Sequence, residues 1–164
     1  MHMTDPHPQA LPPQDLIVRR KGEGLRHHIL GMTNEYKLRA SESGGAMLQF
    51  VMIVPPGMGA PMHHHDRDGE SFFMLEGEIT AHFADGSSAV AGPGDFLWFP
   101  PHTAHSFANE TKVTARALVV QTPGVEAERF FTELDAAGQQ PDFAPERVAP
   151  QIGGRHGVNI LVPA

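Results

Sequence analysis

The chain has 164 residues, a length that suits one domain with a sizeable core. Its formal charge is −7 with histidine neutral, so no Lys/Arg surplus exists to displace counterions from phosphates, and a nucleic-acid partner is not expected. Cysteine is absent, which removes disulfides, thiolate metal sites and a cysteine nucleophile together and fits a reducing cytoplasm.

Residues 1–14 carry four prolines and little hydrophobic pattern, which predicts a flexible N-terminal arm. The arm lacks the basic start and apolar stretch of a signal peptide. From Asp15 the pattern changes to short runs rich in β-branched and aromatic residues: DLIVRR (15–20), LRHHIL (25–30), EYKLRA (35–40) and AMLQFVMIV (46–54). Even the longest apolar stretch, Met47–Val54, falls far short of the ~20 residues of a membrane helix, so no membrane partner is expected.

The same beat continues through SFFMLEG (71–77), EITAHF (78–83), SSAVA (87–91), DFLWFP (95–100), AHSFAN (104–109) and KVTARALVVQ (112–121). Turn signals punctuate it at Pro55-Pro56-Gly57, Arg67-Asp68-Gly69, Asp85-Gly86 and Gly92-Pro93-Gly94-Asp95. Many short strands at regular spacing predict an all-β sandwich or barrel over residues 15–123. After Gly124 the period becomes helical. VEAERFFTELDAAG (125–138) puts Phe130, Phe131 and Leu134 on one face and ends at a capping glycine, and a second short helix is expected around 145–151. Residues 124–164 therefore read as a helical tail packed on the barrel, too short to bury a core of its own.

The chemistry lies in the histidines. In a strand, side chains alternate, so His63 and His65 share one face and His64 takes the other. Asp66-Arg67-Asp68-Gly69 reads as a tight reversal that returns Glu70 beside the pair on an adjacent strand. Two imidazoles and a carboxylate form most of a shell for a divalent first-row metal. A fourth ligand is needed, and residues 94–109 offer His102 and His105; His105 shares a strand face with Phe107. His27, His28, His82 and His156 have no evident metal partner.

Gly57, His63, His65, Glu70 and Gly77 stand at the spacing of the first motif of the cupin superfamily. Gly94, Pro100, His105 and Asn109 stand at that of its second, with His102 where the pattern has its second glycine. The chain thus resembles the cupins, and in its layout the small single-domain cupins of the quercetin 2,3-dioxygenase type. The resemblance implies a double-stranded β-helix, or jelly-roll barrel, with a divalent transition metal (Fe, Mn, Ni, Co, Cu or Zn) held by His63, His65, Glu70 and His105. It also implies a dioxygenase acting with O2 on a flavonol or another enolisable aromatic small molecule, Glu70 serving as the catalytic base. A metal-dependent isomerase, lyase or hydrolase and a non-catalytic small-molecule-binding cupin are the other readings. Phe50, Met52, Phe72, Met74, His102 and Phe107 are expected to line the substrate pocket. Apolar faces left over suggest a homodimer.

Overall fold

The computed structural model describes residues 15–161, so the arm expected over 1–14 lies outside the described residues. Eleven strands and two helices follow in the order β1 (Arg26–Ile29), β2 (Met32–Leu38), β3 (Leu48–Val54), β4 (Gly59–His65), β5 (Gly69–Glu76), β6 (Ile79–Phe83), β7 (Ser88–Ala91), β8 (Phe96–Phe99), β9 (His105–Ala108), β10 (Ala115–Thr122), α1 (Val125–Gly138), α2 (Pro145–Arg155) and β11 (Val158–Ile160). The DLIVRR run (15–20) forms no strand, and the helix expected at 125–138 runs through Gly138 rather than being capped by it.

The strands form two antiparallel sheets, β1-β2-β3-β10-β5-β8 and β11-β4-β9-β6-β7. Alternation explains why they close on each other: β10 reads buried at Ala115, Ala117, Val119 and Gln121 and half-buried between. Those inner faces meet in one core around Tyr36, Phe50, Phe72, Met74, Ile79, Phe99 and Phe107. Each fully buried aromatic or aliphatic side chain contributes about 2–3 kcal/mol to holding the sheets together. Gly77 turns the chain out of β5 at φ 66, and a Cβ there would lie 2.8 Å from the Thr114 carbonyl oxygen.

β4 and β5 are not neighbours. The DRDG turn carries the chain from one sheet to the other, so Glu70 faces the histidines across the barrel interior instead of lying beside them on an adjacent strand. The tail is also more than helical. Val158–Ile160 pair antiparallel with His65–His63 and close the β4 edge of the sheet. A second apolar cluster of Ile29, Phe130, Leu134, Ala149, Ile152 and Val158 seats the helices on the barrel mouth. Polar ties reinforce it: Asp135 accepts from the His28 amide at 2.6 Å, and Glu128 accepts from Arg39 Nε at 2.7 Å.

Candidate metal centre

Strand alternation delivers the inner-face residues directly. His63 and His65 come from β4, Glu70 from the head of β5 and His105 from the start of β9, all buried, with one donor atom of each lying within 4.8 Å of the others. The four can hold a metal ion. The registers support the convergence, since His63 pairs with His105 between β4 and β9, and Glu70 pairs with Gln121 between β5 and β10.

The outer hydrogen bonds fix the tautomers. His63 Nδ1 donates to the Pro61 carbonyl at 2.7 Å and His105 Nδ1 donates to the Thr103 carbonyl at 2.8 Å. Carbonyl oxygens only accept, so both Nδ1 atoms carry hydrogen and the Nε2 atoms face inward. His65 turns Nδ1 toward Asp68 Oδ2 at 3.7 Å, a buried approach longer than a hydrogen bond. Its Nε2 lies 3.8 Å from Glu70 Oε2. Glu70 is divided between two tasks: Oε1 accepts from Gln121 Nε2 at 2.7 Å, and Oε2 accepts from His105 Nε2 at 3.2 Å. A metal ion taking the Nε2 of His105 would replace its contact with Glu70 Oε2. This pattern of anchored outer nitrogens and converging inner donors fits a divalent ion with one carboxylate oxygen and three imidazoles.

Electrostatics follow from the same contacts. Burial pushes Glu70 upward, but the His105 hydrogen bond and the neighbouring imidazoles outweigh it and hold the carboxyl at about 2. Burial, aided by the charge of His105, lowers His63 to about 4. Burial also pulls His65 down, yet Asp68 and Glu70 more than compensate and its imidazole stays raised.

Beside the cluster lies an apolar cavity of ≈ 60 Å³. Phe50, Met52 and Phe107 line it, and Phe130, Phe131 and Leu134 of α1 close it from the tail. No Lys or Arg is among its lining residues. Three expected lining residues stand elsewhere. Phe72 packs edge-on against Phe99 and Phe107, and Met74 is buried with it in the core, both farther along β5 where the sheets meet. His102 points to solvent with its side chain 72% exposed, because its amide is drawn to the His65 carbonyl at 2.7 Å while the backbone keeps the φ of 65 that the motif's glycine would take. In β8, Phe99 faces inward and stacks on the His105 ring at 4.0 Å, while Phe96 and Trp98 face out.

Two supporting residues were missed. Gln121 was readable as the one polar side chain on the inner face of β10. Asp68 was not, because the direction of a side chain in a turn follows no period.

Residues 50–121 match the Cupin domain family. The barrel has the double-stranded β-helix fold of the cupins. Over 89 residues the chain is 35% identical to the quercetin 2,3-dioxygenase of Bacillus subtilis (strain 168); the match spans 52% of this chain but only 26% of that enzyme. Two solved structures share the fold. The polyketide cyclase RemF from Streptomyces resistomycificus superposes with a TM-score of 0.60 at 19% identity, covering 66% of this chain and 80% of that one. A predicted oxalate decarboxylase from Thermotoga maritima gives 0.58 at 22% identity, covering 65% and 98%. No described helix is long and apolar enough to cross a membrane.

Proposed function

We propose that this cupin is a metal-dependent dioxygenase that cleaves a small, neutral, enolisable aromatic molecule. The observation that carries the reading is a buried His/Glu cluster opening onto an apolar cavity that offers no cation. A dianion such as oxalate would meet no counter-charge in that lining apart from a metal itself, whereas a neutral phenol or enol is matched by Phe50, Met52 and Phe107. The part similarity to quercetin 2,3-dioxygenase supports the same class.

His63, His65 and His105 through Nε2, and Glu70 through Oε2, would hold one divalent transition metal. Such an ion supplies Lewis acidity toward a substrate oxyanion and, if redox-active, electron transfer toward O2. Glu70 is anionic at neutral pH, and Gln121 keeps its Oε1 oriented. Its role as acceptor for the substrate hydroxyl proton requires that the His105 contact depressing it be given up, since a carboxylate held at about 2 is a weak base. Phe50, Met52 and Phe107 keep water from the reacting face. A cavity of ≈ 60 Å³ is smaller than the ~150 Å³ that accommodates benzene, so ring-sized substrates enter by displacing the α1 side chains Phe130 and Phe131.

The test is oxygen uptake by protein loaded in turn with Fe, Mn, Co, Ni, Cu and Zn, against a panel running from single-ring phenols and enols to flavonols. O2 consumption with a neutral aromatic, lost in His105→Ala, is the expected result. Turnover without O2 consumption would move the assignment to an isomerase, lyase or hydrolase using the same centre. Saturable ligand binding with no turnover under any metal would indicate a binding protein.

We also infer a homodimer through the outer face of the β5–β8 edge. Phe73, Leu75, Phe96 and Trp98 are 44%, 41%, 61% and 51% exposed there, and Phe96 pairs with Phe73 in register. Together they present roughly 400 Å² of apolar surface, the size of the largest, often functional, patch on a typical monomer. Two copies related by a two-fold axis would cover both patches and, with their rims, reach the ~1,000 Å² of a stable interface.

A further inference from the structure

Strand β4 carries histidine on both faces. While His63 and His65 enter the barrel, His64 points out opposite Asn159 of β11. Two other groups reach the same patch: Asp66, just past the end of β4, and His102, in the turn between β8 and β9. One donor atom from each of the three lies within 4.8 Å of the others. Asp66 Oδ1 is 3.5 Å from His64 Nδ1 and 4.0 Å from His102 Nδ1. Both separations are too long for good hydrogen bonds, yet they approach the roughly 3.3–3.6 Å between neighbouring ligands around an ion with ~2.0–2.2 Å bonds.

Three features distinguish this cluster from a chance meeting of surface side chains. His64 Nδ1 is shielded from solvent and has no hydrogen-bond partner among the described residues. Asp66 is aimed: its Oδ1 accepts from Asn159 Nδ2 at 2.8 Å, and its amide donates to the Gly157 carbonyl at 2.8 Å. His102 stands at φ 65, a conformation costly for a side chain with a Cβ, and is pinned there by its amide bond to the His65 carbonyl. Glycine would take that turn position without strain.

We propose that His64, Asp66 and His102 form a second, solvent-facing site for a divalent transition-metal ion, with water completing the shell. Two imidazoles and one carboxylate select borderline ions such as Zn²⁺, Ni²⁺, Co²⁺ and Cu²⁺ over Mg²⁺ or Ca²⁺. The exposure of Asp66 and His102 makes it weaker than the buried centre, whose ligands are already anchored. The two sites lie back to back on β4, and the His102 amide ties the outer one to the backbone of His65.

Calorimetric titration of untagged, chelator-stripped protein with Zn²⁺ tests this. Two classes of site are expected, each near one ion per chain. Asp66→Asn and His102→Gly should each weaken the lower-affinity class at least tenfold and spare the higher. His102→Gly restores the residue the turn favours, so misfolding cannot explain its loss. His105→Ala should do the reverse, removing the tight class alone, which separates failure of this site from failure of the buried one. A single class in the wild-type chain, or a weaker class that persists in both outer-site variants, overturns the proposal.

Discussion

Gln121 and Asp68 never reach the centre of the cluster, yet they set the state of two of its members. Gln121→Leu leaves Glu70 Oε1 buried without its 2.7 Å donor, and the loss should cost about 2 kcal/mol of metal-free stability, measured by urea unfolding. Asp68 acts on His65, whose pKa it and Glu70 hold raised against burial, so protons compete there with a metal as pH falls. A folded-state pKa raised above the ordinary value means the proton is held until higher pH, so metal uptake strengthens as pH rises through it. Asp68→Asn should therefore move the acid limb of metal binding to lower pH, and at high pH should weaken binding about tenfold by loosening His65. Both are read from metal affinity against pH. The buried His63/His65/Glu70/His105 cluster was legible in the sequence because the pleat separates His63 and His65 from His64 and because the spacing to Glu70 and His105 is that of a known motif. Which member of the inner face reaches the cavity was not, since Phe72 and Met74 share Glu70's face but stand where the sheets have already closed.

At the level of elements, the cavity is a joint product of barrel and tail. β3 supplies Phe50 and Met52, β9 supplies Phe107, and α1 lowers Phe130, Phe131 and Leu134 onto them, with Phe131 edge-on to Phe50 at 5.5 Å. Phe131→Ala should enlarge the opening and raise affinity for a flavonol several-fold while lowering stability by about 2 kcal/mol, less than a fully buried phenylalanine because Phe131 is half-buried. Fluorescence titration and thermal unfolding check the two effects. The helix itself followed from its apolar period, and the β-rich body from its short, punctuated runs. That β11 would complete a sheet, and that β4 and β5 would part into different sheets, could not be read from spacing. Both depend on pairings between segments far apart in the chain.

For the whole molecule, the proposed dimer rests on the exposed outer face of β5 and β8. Trp98→Glu places a charge in the middle of the exposed patch while leaving the inward Phe99 untouched, so it should convert a dimer to a folded monomer in light scattering after size exclusion. A wild-type chain that already runs as a monomer at micromolar concentration contradicts the dimer.

The buried His63/His65/Glu70/His105 centre is read out by metal content. Protein purified without chelators and dialysed extensively should retain one transition-metal ion per chain. His105→Ala, folded by circular dichroism, should retain none. A metal-free wild-type chain that also fails to take up added ion tightly, or a His105→Ala chain that keeps the full complement, would contradict it.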